Sequence, residues 1–303
     1  MFLVRYLNQF FVSRPLYTPP ICSEGLEAQQ PLSAETDKTT TVPIIPQDII
    51  YEIVDHLDTD PYSSHTLRSC SLISKSWVAP CRRHLFHAVS FRLKDTFKWI
   101  EVFPVPEQSP AHYVKHLSLS LEGNYYPPHE FLQNIQLFTS VKEMVMLGDG
   151  GPGESWWIPS FERLPESVTS LTITKDKVAL LEIWHVINQL PNLDNLALSV
   201  ALPTVDKKNL RGIGTFLKGR FGGRLRLHGI YNSTCVGIAN MLLEVPTGLY
   251  FTEMDLRGTD RSLLSTVRLV EACHKTLVRL SYMIDEYGKS CSVPSSNRTF
   301  HAK

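Results

Sequence analysis

Two stretches place potentially reactive residues at spacings that chemistry uses. Gly148-x-Gly150-x-x-Gly153 follows a strand-like run, as a dinucleotide-binding turn would. That turn needs its last glycine to lead straight into an apolar helix. Here Pro152, Glu154, Trp156, Trp157 and Pro159 crowd the place where the helix would begin, so a connecting loop is the expected role. Cys81-x-x-His84-x-x-His87 offers a thiol and two imidazoles. Steps of three spread such ligands over roughly 120° of a helix, a poor match to one tetrahedral ion. No fourth ligand stands nearby, and a buried thiol with two packed or surface histidines is expected. No nucleophile elbow, HExxH pair or Walker loop occurs. The expectation is a protein that is not an enzyme, with no cofactor and no metal site.

Charge is more informative. Lys207, Lys208, Arg211, Lys218, Arg220, Arg224 and Arg226 run without an intervening acid. Such a stretch could hold phosphate, an acidic peptide or nucleic acid, or be a solvated face. The whole chain nevertheless balances, with 30 Lys+Arg against 30 Asp+Glu, which argues against a general polyanion binder, and nucleic acid is not the expected partner. The acids concentrate elsewhere: Asp48, Glu52, Asp55, Asp58 and Asp60 stand with no Lys or Arg among them.

What positions the basic residues is a repeat. Val114-x-x-Leu117-x-Leu119, Val141-x-x-Met144-x-Met146, Val168-x-x-Leu171-x-Ile173 and Leu193-x-x-Leu196-x-Leu198 align. Gly222-x-x-Leu225-x-Leu227, Phe251-x-x-Met254-x-Leu256 and Leu277-x-x-Leu280-x-Tyr282 continue the series. The steps are 27, 27, 25, 29, 29 and 26 residues, a leucine-rich-repeat-like period with one strand and one helix per turn. Helix-period segments fall between the strands at 129–138, 178–190, 210–217, 236–245 and 263–273. The Asn position of regular repeats reads Glu122, Asp149, Asp176, Ala201, Ile230, Thr259 and Asp285, so the predicted solenoid is irregular. A short parallel-sheet α/β domain is the structural alternative. Residues flanking the middle apolar position point away from the core. On the late strands that exposed row contains Arg224, Arg226, His228, Glu253, Asp255, Arg257 and Arg279, the expected substrate-binding residues. Trp156-Trp157 is read as core between repeats, with an exposed recognition pair as the alternative.

Ahead of the repeat, Ile45, Ile49, Ile50, Ile53, Val54 and Leu57 trace one helical stripe, with Pro46 in its first turn. A second short helix is expected around 67–73. A third apolar set, Trp77, Val78, Cys81, Leu85 and Phe86, is interrupted by Pro80, which either opens the helix or kinks it. So small a unit struggles to bury its own core, which calls for a partner or a neighbouring domain. The division expected is 1–44 disordered arm, 45–110 helical domain, 111–290 repeat domain and 291–303 flexible tail. Six cysteines without a CxxC pair read as reduced thiols of a cytoplasmic or nuclear protein, and no membrane segment is expected. The acid-poor start, MFLVRYLNQFFVSRPLY, leaves mitochondrial targeting as an alternative.

The helical segment resembles an F-box. Ile45-Pro46 stands for the Leu-Pro of that family, Asp48-Ile49-Ile50 for its acid and two aliphatics, and Ile53 and Leu57 complete the first helix. Leu67, Leu72 and Trp77 take the later apolar and tryptophan positions, and Leu85-Phe86 resembles the closing Leu-Trp. The segment looks like the F-boxes abundant in basidiomycete fungi, although the loop 58–66 is longer than usual and Pro80 falls in the last helix. The resemblance implies that Ile45, Pro46, Ile49, Ile50, Ile53, Leu57, Leu67, Leu72 and Trp77 bind a Skp-type adaptor. Through it the chain joins a cullin-based ubiquitin ligase, with the repeats choosing an unknown protein substrate. The alternative is a repeat scaffold without ligase function that uses its basic late repeats on acidic partners or nucleic acid.

Overall fold

The computed structural model describes residues 45–57, 63–120, 129–148, 163–175, 180–200, 221–229, 232–258, 262–284 and 298–301. The chain divides into two compact units, residues 1–81 and 82–303. The expected arm at 1–44, Trp156-Trp157, the helix at 210–217, the Asn-position residues and Lys207 to Arg220 lie outside the described residues.

The first unit is helical. Helix α1 spans Gln47–Leu57, α2 Ser63–Ser71 and α3 Lys75–Leu85. The amide of Ile50 donates to the carbonyl of Pro46 (3.2 Å), which sets Pro46 where its missing N–H costs nothing. Asp48 lies in the first turn and His56 in the last, matching the helix dipole at both ends. Helix α1 packs on α2, and Ile50, Val54, Leu67, Trp77 and Cys81 are buried. Helix α2 starts earlier than its apolar residues indicate and ends before Leu72, so Leu72 and Ile73 fall in the turn that follows. Pro80 neither opens α3 nor stops it but sits inside it. A proline there leaves the carbonyl four residues earlier, Ser76, without its helical donor. The side-chain Nε2 of Gln47 donates to that oxygen instead (3.0 Å).

The second unit is α/β. Nine strands form one sheet in strict sequence order, β1 Ala88–Arg92, β2 His116–Ser120, β3 Glu143–Gly148, β4 Ser170–Lys175, β5 Asn195–Val200, β6 Phe221–Gly229, β7 Leu249–Gly258, β8 Arg279–Ile284 and β9 Arg298–His301. Strands β1 to β8 pair in parallel, and β9 pairs antiparallel with β8. Between them lie α4 Leu93–Val102, α5 His129–Asn134, α6 Leu180–Asn188, α7 Asn232–Leu243 and α8 Leu263–Ala272.

The sequence period becomes spatial register. Leu117 lies beside Met144, Met144 beside Leu171, Leu171 beside Leu196, Leu196 beside Leu225, Leu225 beside Met254 and Met254 beside Leu280. All but Leu280 are buried. Each such side chain contributes ~1.5–3 kcal/mol when fully removed from water. The turn into each strand also repeats. Val114 donates to Ala111, Val141 to Phe138, Val168 to Pro165 and Leu193 to Leu190. Just after that turn one carbonyl takes two donors from the next repeat: His87 from Lys115 and His116, Lys115 from Lys142 and Glu143, Lys142 from Thr169 and Ser170.

Two features depart from the sequence alignment. The sheet begins one strand earlier, at β1, within the segment expected to be helical domain. Phe86-x-x-Val89-x-Phe91 carries the same pattern, and Val89 and Phe91 pair with Leu117 and Leu119. Phe91 and Trp99 of α4 meet edge to face (5.1 Å), and Phe131 and Phe138 close on Phe91 at 5.1 and 6.1 Å. That aromatic core gives the first strand its own apolar cover. At β6 the apolar slot belongs to Phe221, 3% exposed, and not to Gly222. The extra residue is absorbed at Gly223, whose φ is +66°, and the register with β7 slips at the same point. The tail expected at 291–303 contains β9.

Candidate functional site

The nine expected adaptor-binding residues separate into two sets in the first unit. Ile50 (1% exposed), Leu67 and Trp77 are internal core. Ile49 (40%) and Ile53 (37%) are exposed, four residues apart along one edge of α1, and Ile45 (47%) is exposed two residues before the helix begins. Leu72 (77%) and Ile73 (63%) are exposed in the turn after α2. Pro46 is exposed and Leu57 half-buried. Helix α1 therefore has one apolar stripe that closes its own core and a second that remains in water. Asp48, Glu52 and Asp55 stand exposed on the same helix. Ile73 is exposed next to Leu72 in the chain but does not stand among the nine residues marked by the resemblance.

In the second unit the row pointing away from the apolar face carries the expected substrate-binding residues, all on β6, β7 and β8. Register puts Arg224 beside Glu253 and Glu253 beside Arg279, Arg226 beside Asp255, and His228 beside Arg257. The guanidinium of Arg224 holds Glu253 at 2.6 Å through one terminal nitrogen and at 2.8 Å through Nε. Arg279 reaches the other oxygen of Glu253 at 3.8 Å. Asp255 lies 3.3 Å from Arg226 and 3.6 Å from His228. These pairs are half open to water and contribute ~0–1 kcal/mol each. Burial pushes the His228 imidazole below its ordinary 6.5, and Asp255 pulls the other way while Arg257 and Arg226 add to the fall. Among the described residues no carboxylate lies within ion-pair distance of Arg257. On β2 and β3 the same row carries one further pair, His116 with Glu143 at 2.8 Å. Ser170, Thr172, Asn195 and Ala197 between them are uncharged.

No protein-family model matches this chain, and no curated protein matches it.

The residues first singled out for chemistry have packing roles where they are described. A Cβ on Gly148 would press on the stem of Lys175 at 3.0 Å, so the glycine makes room for that side chain. Lys175 is buried at the end of β4, and burial lowers its pKa while the charge of Glu182, also buried, opposes the fall. Gly150 and Gly153 lie outside the described residues. Burial first, then the neighbouring Cys70, raises the Cys81 thiol to about 11, so at neutral pH it carries a proton and is a weak ligand and nucleophile. Among the described residues no group of three His, Cys, Asp or Glu is placed to hold a metal ion. Among the described residues Cys70, Cys81, Cys235 and Cys273 form no disulfide. No helix of the described residues is long and apolar enough to cross a membrane.

Proposed function

We propose that the chain is a substrate-recognition adaptor of a Skp–cullin–F-box ubiquitin ligase, in which the three helices are an F-box and the sheet unit is an irregular leucine-rich-repeat-like solenoid. The observation that carries this reading is the second stripe of α1. Helix α1 meets its core contacts with Ile50 and Val54 yet holds Ile49 and Ile53 in water, with Ile45 exposed just before it and Leu72 and Ile73 exposed in the turn after α2; apolar surface of this kind calls for cover by another protein. The adaptor-binding set is then Ile45, Pro46, Ile49, Ile53 and Leu72 with Ile73, while Ile50, Leu67 and Trp77 hold the unit's shape. The sheet unit presents the substrate, and no covalent step is assigned to this chain.

The full chain co-expressed with a Skp-type adaptor should co-purify with it. Ile49→Asp with Ile53→Asp should abolish the complex while circular dichroism stays unchanged. Charge reversal at Arg226 should leave the complex intact. A wild-type chain that never co-purifies with the adaptor overturns the reading. The alternative, a basic face free to coat nucleic acid, is less well supported, because Arg224 and Arg226 are already held by Glu253 and Asp255.

A further inference from the structure

We infer that the charged face of β6, β7 and β8 takes an acidic, extended peptide segment, with Arg257 and Arg279 as the residues that engage its carboxylates. The inference deepens the substrate-selection reading and rests on it. Four arginines share this face with two carboxylates. Arg224 is held by Glu253 at 2.6 and 2.8 Å, and Arg226 by Asp255 at 3.3 Å. Those two acids are thereby committed. Arg279 has only a long contact of 3.8 Å to the already engaged Glu253, and Arg257 has none among the described residues. The surplus of positive charge therefore sits at two places.

The register fixes their separation. Arg279 lies opposite Glu253, and Arg257 stands four residues further along β7. With ~3.3 Å per residue and ~4.8 Å between strands, the two arginines start ~14 Å apart. An extended segment covers that span in about four residues. The ligand so described carries two acidic side chains about four positions apart. Guanidinium groups bind carboxylates through paired N–H donors, and both arginines are exposed enough to do so. Glu253 is the internal competitor, since it occupies the space and the charge that a ligand carboxylate would use.

The test is fluorescence anisotropy on the full chain. The probe is a fluorescein-labelled Gly/Ser peptide carrying two glutamates four positions apart, read at low and at moderate salt. Binding should weaken with salt and disappear when both glutamates are replaced by glutamine. Arg257→Gln and Arg279→Gln should each weaken it about fivefold. Glu253→Gln should tighten it, a gain that misfolding cannot imitate. The inference is overturned if Glu253→Gln weakens binding or leaves it unchanged, if the glutamine peptide binds equally, or if uridine RNA of the same charge displaces the probe as well as acidic peptide does. Peptide binding needs no adaptor, so failure here and failure of adaptor co-purification are read separately.

Discussion

The side-chain amide of Gln47 donates to the carbonyl oxygen of Ser76, the one oxygen in α3 that Pro80 deprives of its helical partner. Two helices that are distant in sequence are thus joined by repairing a defect within one of them. Gln47→Ala should cost ~1 kcal/mol in urea unfolding. In a Pro80→Ala background the new amide of residue 80 can serve Ser76, so the same Gln47→Ala change should cost clearly less. Equal costs in the two backgrounds would show that Gln47 does not act through that carbonyl.

Neighbouring isoleucines on α1 should respond in opposite ways. Ile50→Asp places a charge where only 1% of the side chain is exposed and should unfold the first unit, a loss of more than ~3 kcal/mol. Ile49→Asp, on the exposed stripe, should alter stability by less than ~0.5 kcal/mol. Thermal and urea unfolding of the two variants compares them directly.

Gly222 and Gly223 form an internal control. A Cβ on Gly222 would find ordinary space, whereas one on Gly223 would run into the carbonyl oxygen of Asp194 at a positive φ. Gly222→Ala should be tolerated. Gly223→Ala should destabilise the sheet unit by ~1–3 kcal/mol, measured by urea unfolding.

His228 should give the sheet unit a pH dependence of defined sign. Its folded pKa lies below the ordinary 6.5 because of burial, so the unfolded chain binds the proton first. The stability it contributes is present above about pH 6.5 and is lost as pH falls through the folded value. Unfolding followed from pH 7.5 to 5 should show a fall in stability that is smaller in His228→Gln. Asp255→Asn removes the group that favours the imidazolium and should shift the titration further down.

Strands β2 to β8 were legible in the repeat alone. Apolar pairs recurring at 25–29 residues can all face one core only if consecutive strands lie side by side in register, and they do so from Leu117 to Leu280. The same alternation placed Arg224, Arg226, Glu253, Asp255 and Arg279 on the opposite face. β1 is not legible in the repeat because Phe86 also completes the apolar set of the preceding helix, and Phe221 is hidden because the extra residue at Gly223 displaces the pattern by one. Which of the apolar residues of α1 are core is a tertiary outcome, since a helix carrying Ile49, Ile50, Ile53, Val54 and Leu57 has more stripe than one contact can cover, and packing buries Ile50 and Val54 alone among them. Tertiary structure alone also decided that the late-strand cations are largely paired. Glu253 stands 29 residues from Arg224, and their contact at 2.6 Å exists only because parallel strands bring equivalent positions of successive repeats within reach.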